Sequence, residues 1–161
     1  RIRERPELSA IPVVMATAKG AEYDKVQSLD LGADYYLTKP FGVMEFLACV
    51  RSVLRRRGGA EPGKVLGLQG VRMDLSGRTV TVDGERAALT YKEFELLRLF
   101  LSHPGVAFTR EQLMSEIWGT DYCGESRTVD MHIRTLRGKL GPYGDRVETV
   151  RGVGYRLEGK P

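Results

Sequence analysis

Cysteine is scarce here: Cys49 and Cys123 are the only two in 161 residues, far apart and without the CxxC spacing of a zinc or redox site. No uninterrupted apolar run is long enough to span a bilayer, and the amino end lacks the charged-then-apolar plan of a signal peptide. The chain therefore reads as soluble and cytoplasmic with no membrane partner, and both cysteines are expected to be reduced thiols, because disulfides are rare in that compartment. His103 and His132 have no Cys or acid at ligand spacing, so no metal site is expected. Nor is there a nucleophile–base pair or a paired-carboxylate constellation, which argues against an enzyme.

What is present is a local excess of positive charge. Residues 127–156 hold seven Lys/Arg against three acids, a surplus equal to the net charge of +4 of the whole chain. Residues 1–57 carry ten bases and seven acids, and residues 58–126 carry seven bases and ten acids. A surplus confined to one segment points to a polyanionic partner for that segment rather than to a generally basic surface. In the same segment Val129, Ile133, Leu136 and Leu140 fall on one stripe of a helix, with Arg127, Met131, Arg134, Thr135 and Gly138 on the opposite side. Such a helix has one face for a core and one for a partner.

The order of elements divides the chain. The apolar run 11–18 lacks strict alternation, as expected for a strand buried on both faces of a parallel sheet. A helix over 20–31, a strand at Tyr35–Thr38 and a helix over 42–57 follow, the grammar of an open α/β sheet. Residues 58–64, Gly-Gly-Ala-Glu-Pro-Gly-Lys, have the composition of a linker. Residues 65–90 alternate short β-like runs with the turn signals Ser76-Gly77 and Asp83-Gly84, which predicts a small antiparallel sheet. Thr90 with Glu93, and Thr109 with Gln112, are capping boxes opening two helices. The basic helix comes third, and a Gly152/Gly154 strand closes the chain. Strands, three helices and a final hairpin make a winged helix-turn-helix.

At this point the residues resemble a known family, the OmpR/PhoB-type response regulators of bacterial two-component signalling. The resemblance rests on Leu89-Thr90 with Glu93, Leu96 and Leu97; on Thr109-Arg-Glu-Gln-Leu113 with Trp118; on Arg127-Thr-Val-Asp-Met-His-Ile-Arg134; and on Thr149-Val-Arg-Gly-Val-Gly-Tyr-Arg156. Thr17, Gly32-Ala-Asp34 and Tyr36-Leu-Thr-Lys-Pro-Phe41 are similar to the last part of that family's receiver domain. The implied organisation is a partial receiver over 1–57, the carboxy-terminal part of a doubly wound, flavodoxin-like parallel sheet. The linker 58–64 and an α+β winged helix-turn-helix domain over 65–161 follow. By this pattern the chain starts after the phospho-accepting aspartate. Asp24, Asp30 and Asp34 are then not phospho-acceptors, no phosphorylation site is assigned, and Mg²⁺ is expected only for an intact receiver. The missing strands imply a truncated protein, a partner that supplies them, or a receiver that folds in another way.

Residue by residue, the resemblance implies that Lys39 contacts phosphoryl oxygens, that Thr17 hydrogen-bonds them and that Tyr36 swings inward with Thr17. It also implies a cis bond before Pro40. Across a homodimer two-fold it pairs Lys25 with Glu45, Asp30 with Arg55, and Asp34 with Arg51. Tyr35 departs from the family's usual second Asp, and Met44 from a commonly basic residue. In double-stranded DNA the exposed helix face enters the major groove, the groove that admits a helix and displays distinct base edges. There Arg127, Arg134 and Arg137 suit phosphates or guanine, Thr128 and His132 suit phosphates, Asp130 a cytosine amino group, and Met131 a thymine methyl. Thr135 stands where an arginine is common. Arg151 at the hairpin tip suits the minor groove, and Thr149 and Tyr155 complete the DNA-binding set. Loop 119–126 is the expected contact for RNA polymerase, and a sensor histidine kinase is the partner of the intact protein. The implied function is sequence-specific transcriptional regulation. The alternatives are a phosphorylation-independent DNA binder whose receiver remnant only dimerises, and an interaction protein of RNA polymerase or a kinase.

Overall fold

A computed structural model describes residues 11–18, 33–54, 64–119 and 127–159 together with Leu8, omitting the side chains of residues 52–54 and 127. The helix 20–31 with Lys25 and Asp30, Arg55, linker residues 58–63, the loop 120–126 and Cys123 lie outside the described residues.

Strands β1 (Val14–Thr17) and β2 (Tyr35–Thr38) pair in parallel, Val14 opposite Tyr35 and Thr17 opposite Thr38, and α1 (Val43–Leu54) follows. Met15 and Ala16 are exposed, which corrects the expectation of a strand buried on both faces. Parallel strands are buried twice over only where layers cover both sides, and among the described residues this sheet has two strands. For the same reason α1 leaves Val43, at 73% exposure, with Met44, Phe46 and Leu47 at the surface.

The next four strands form an antiparallel meander in chain order: β3 (Val65–Leu68), β4 (Val71–Asp74), β5 (Thr79–Val82) and β6 (Glu85–Arg86). The two turns read from the sequence are there for distinct reasons. Asp83 (φ 51°) and Gly84 (φ 87°) supply the two positive φ values of a type I′ hairpin. At the other, Asp74 Oδ1 accepts from the backbone N–H groups of Ser76 and Gly77 at 2.8 and 3.0 Å, closing an Asx turn.

Both capping boxes form. Thr90 Oγ1 accepts from Glu93 N while Glu93 Oε2 accepts from Thr90 N, opening α2 (Tyr91–Ser102). Thr109 and Gln112 do the same for α3 (Arg110–Trp118). Each cap contributes about 0.5–2 kcal/mol. Helix α4 (Arg127–Lys139) leads through a 3-10 turn (Gly141–Arg146) into β8 (Val147–Val150) and β9 (Gly154–Leu157). With β7 (Ala107–Thr109) these make a three-stranded antiparallel sheet in the order β7-β9-β8. A side chain at Gly154 would collide with the Phe108 carbonyl oxygen, so β7 and β9 approach this closely only with glycine there. Val129, Ile133, Leu136 and Leu140 are all buried, packed in one core with Leu96, Leu97 and Phe100 of α2 and Leu113 and Ile117 of α3. Each such side chain contributes about 1.5–3 kcal/mol relative to exposure.

Candidate nucleic-acid interface

The buried stripe fixes how α4 is rotated, and three arcs follow from it at about 100° per residue. On one flank Thr128, His132 and Thr135 turn toward α2 and α3. Thr128 and His132 are buried, which corrects their assignment to DNA phosphates. His132 Nδ1 lies 2.8 Å from the Thr128 carbonyl oxygen. A carbonyl only accepts, so Nδ1 carries the proton and Nε2 is a bare acceptor, buried without a hydrogen-bond partner among the described residues. Burial holds the imidazole pKa below its ordinary value, against the Thr128 bond and the fields of Asp34 and Glu93. Thr135, half-buried, turns its Oγ1 back on the Met131 and His132 carbonyls at 3.3 and 3.2 Å and supports the Glu93 carboxylate, so its hydroxyl is engaged within the chain. Glu93, buried, is held below the usual carboxylate range. Desolvation opposes this, but Lys139 Nζ at 2.6 Å and the Thr90 and Thr135 hydrogen bonds outweigh it.

The opposite flank faces β9. Asp130 Oδ1 accepts from Arg110 Nε at 2.8 Å and from the Tyr155 hydroxyl at 2.7 Å, which engages that oxygen within the chain rather than with a cytosine. Arg137 donates from Nε and Nη2 to the Val147 carbonyl and from Nη2 to Thr149 Oγ1, which ties it to β8 rather than to a guanine. Tyr155 is buried with its hydroxyl turned inward, and burial followed by the Asp130 contact raises its pKa. These reassignments leave a narrow uncovered arc: Arg134, exposed, with half-buried Met131 beside it and the Arg127 backbone on the same side. Arg151 is exposed at the tip of the β8–β9 hairpin, where Gly152 adopts φ 72°, and Thr149 is exposed on the strand below. Among the described residues no hydrogen bond or ion pair holds Arg134 or Arg151.

A second polar cluster joins β2 to the helices. Asp34 Oδ2 accepts from Val13 N at 2.7 Å and Oδ1 from the Lys92 backbone N–H at 3.0 Å, while Trp118 Nε1 donates to the Asp34 carbonyl at 3.1 Å. Asp34 is thus buried and engaged within the chain, which corrects the picture of an open charge awaiting Arg51 of another copy. Tyr35, where the family has an acid, donates its hydroxyl to the Trp118 carbonyl at 2.8 Å and accepts from Lys92 Nζ at 3.0 Å. The Lys92 ammonium is buried over the rings of Tyr35, Tyr91 and Trp118 and also donates to the Ile117 carbonyl. An aspartate at position 35 could not fill that space. The buried role of Lys92 and the partners of Arg110 are not legible in the sequence, because a basic residue in a helix's first turn reads as solvated; the Tyr35 departure is the visible signal for Lys92 alone.

Of the receiver positions, Lys39 is exposed after β2, its backbone N–H bonds the Thr17 carbonyl at 2.7 Å, and the Lys39–Pro40 bond is cis as the resemblance implied. Thr17 and Tyr36 are half-buried on the two paired strands, and Glu45 and Arg51 are exposed on α1. Among the described residues no group of three His, Cys, Asp or Glu side chains could hold a metal, so Mg²⁺ is assigned no residue here.

The family described as "Transcriptional regulatory protein, C terminal" matches residues 84–157, the segment that carries the capped helices, α4 and the hairpin. The phosphate regulon transcriptional regulatory protein PhoB of Pseudomonas aeruginosa is 44% identical over 159 residues, covering 98% of this chain and 69% of that protein. The Thermotoga maritima OmpR/PhoB homologue DrrB superposes with a TM-score of 0.54 at 29% identity, over 98% of this chain and 70% of its own. The Klebsiella pneumoniae RstA DNA-binding domain, solved in complex with an RstA box, has a TM-score of 0.54 at 32% identity, over 60% of this chain and 99% of its own. On motif, fold and relatives together, the chain belongs to the OmpR/PhoB family of two-component response regulators, which are DNA-binding transcription factors and not enzymes.

Proposed function

We propose that this chain reads duplex DNA with α4 in the major groove and the hairpin tip in the adjacent minor groove, as a dimer on paired sites. The observation that carries the reading is the uncovered arc of α4: Arg134 stands opposite a fully buried stripe, and Arg151 projects from the neighbouring hairpin. A helix fits the major groove, and a narrow minor groove attracts arginine. Arg127, Met131 and Thr149 belong to the same contact surface. The division into 1–57, 58–64 and 65–161, a cytoplasmic location, the RNA polymerase contact at 119–126 and a sensor kinase acting on an intact, Mg²⁺-binding receiver through Thr17, Tyr36 and Lys39 are parts of this reading. So is dimerisation through Lys25–Glu45 and Asp30–Arg55, with Asp34–Arg51 joining only when Asp34 leaves Lys92. The test is binding of the chain to duplex DNA across a salt series. Each phosphate neutralised adds about −0.9 to the log–log slope. Absence of binding at low salt, or binding indifferent to salt, refutes the reading; sedimentation on DNA with one and two half-sites tests the dimer.

A further inference from the structure

Asp130 and Tyr155 lie in the two segments assigned to DNA, yet their polar atoms point at each other and at Arg110. Arg110 Nε donates to Asp130 Oδ1 at 2.8 Å, Arg110 Nη2 donates to the Tyr155 hydroxyl at 3.3 Å, and that hydroxyl donates to the same Asp130 oxygen at 2.7 Å. The Tyr155 ring is flanked by two guanidinium groups, Arg110 at 5.0 Å and Arg137 at 5.5 Å from its centroid. These residues come from α3, α4 and β9, and Arg137 extends the set to β8 through Val147 and Thr149. One tyrosine, 5% exposed, is therefore the point where both helices of the helix-turn-helix meet the hairpin.

We propose that Arg110, Asp130, Tyr155 and Arg137 are positioning residues: they clamp the hairpin to α4 so that Arg134 and Arg151 engage one duplex together. The inference rests on the DNA-reading function above and assigns these four no contact with DNA. Its physical basis is multivalency: once α4 is seated, the second contact is intramolecular, and its strength depends on whether the hairpin is held at the right span. Arg137 sets the hairpin's base, and the Arg110–Asp130–Tyr155 triangle sets its angle to α4. The side chains of Arg110 and Asp130 are 30% and 41% exposed, and half-exposed pairs of this kind contribute little to stability. The value of the triangle is geometric, so disturbing it leaves the fold in place.

The experiment is a double-mutant cycle with the whole chain, using a duplex that the wild-type chain recovers from randomised DNA, at fixed salt. The substitutions are Tyr155→Phe, which keeps the ring between the arginines and removes the hydroxyl, and Arg151→Ala. In the wild-type background Arg151→Ala is expected to weaken binding roughly fivefold or more. In the Tyr155→Phe background the same change is expected to cost less than about twofold, because the hairpin is no longer held at the groove. Hydroxyl-radical protection of the minor groove should fade in Tyr155→Phe while the major-groove preferences persist. Arg110→Gln, which leaves the core untouched, should reproduce both effects, and an unchanged melting temperature separates positioning from folding. Equal losses from Arg151→Ala in all three backgrounds would overturn the clamp. A wild-type chain that recovers no duplex would overturn the DNA-reading function, and the clamp with it.

Discussion

Removing one oxygen from Tyr35 tests whether β2 is joined to the helices as described. The side chain is fully buried, and among the described residues its hydroxyl donates to the Trp118 carbonyl at 2.8 Å and accepts from Lys92 Nζ at 3.0 Å. Tyr35→Phe keeps the ring beneath the ammonium, whose nitrogen lies 4.2 Å from the ring centroid, and leaves Lys92 its bond to the Ile117 carbonyl. What is lost is the donor to the Trp118 carbonyl and one acceptor for a buried charge. A buried polar group deprived of its partner costs about 1–3 kcal/mol, more if charged, so a loss of about 2 kcal/mol is expected. Tyr35→Ala adds a cavity and should cost about 3–5 kcal/mol. Trp118 is the chain's single tryptophan and sits in the joint, its Nε1 donating to the Asp34 carbonyl, so its fluorescence reports opening directly. In denaturant titrations the Tyr35→Phe midpoint should fall by the equivalent of that loss, and acrylamide should reach Trp118 before far-ultraviolet dichroism changes. A free-energy change below about 0.5 kcal/mol, within what surface substitutions do, would show that the joint is not formed in solution.

Other outcomes follow from named groups. His132 is buried neutral with its pKa below the ordinary value, so the unfolded chain takes up a proton first as pH falls below about 6.5. Stability should be fully present above that pH and decline below it at up to about 1.4 kcal/mol per pH unit, a slope that His132→Leu should abolish in chemical denaturation between pH 6.5 and 5. Arg134→Ala should flatten the salt slope of DNA binding by up to about one unit if its contact is a phosphate, measured by anisotropy; an unchanged slope places Arg134 away from the backbone. Gly154→Ala should lower the melting temperature, because a Cβ there meets the Phe108 carbonyl and must part β7 from β9. Glu93→Gln should weaken the joint of α2 and α4 by depriving Lys139 of its charged partner at 2.6 Å; because that contact holds the Glu93 carboxyl below its ordinary value, the deficit in chemical denaturation should be full above about pH 4.5 and shrink as the pH falls below it.

The sequence alone determined what is decided within a few residues. Thr90–Glu93 and Thr109–Gln112 cap helices because a side-chain oxygen reaches backbone three positions away; Asp83-Gly84 turns because its φ values are local; and the stripe Val129, Ile133, Leu136, Leu140 is a property of helical period. The family motifs, which span such local features, carried the fold class and the general function. The tertiary structure decided which polar residues remain for a partner. Periodicity names the middle of a buried face but not its flanks, and the width of cover on α4 depends on what packs to either side. Helices α2 and α3 take Thr128, His132 and Thr135 on one flank; on the other, β9 with Arg110 takes Asp130, and β8 takes Arg137. The joint was hidden for the same reason: Asp34 and Tyr35 find Lys92 and Trp118 across separations of 57 to 84 residues, and a charged side chain reads as exposed until its partner is seen. Short-range hydrogen bonding and period fix the elements; desolvation, which depends on every neighbour at once, fixes which side chains are left to act.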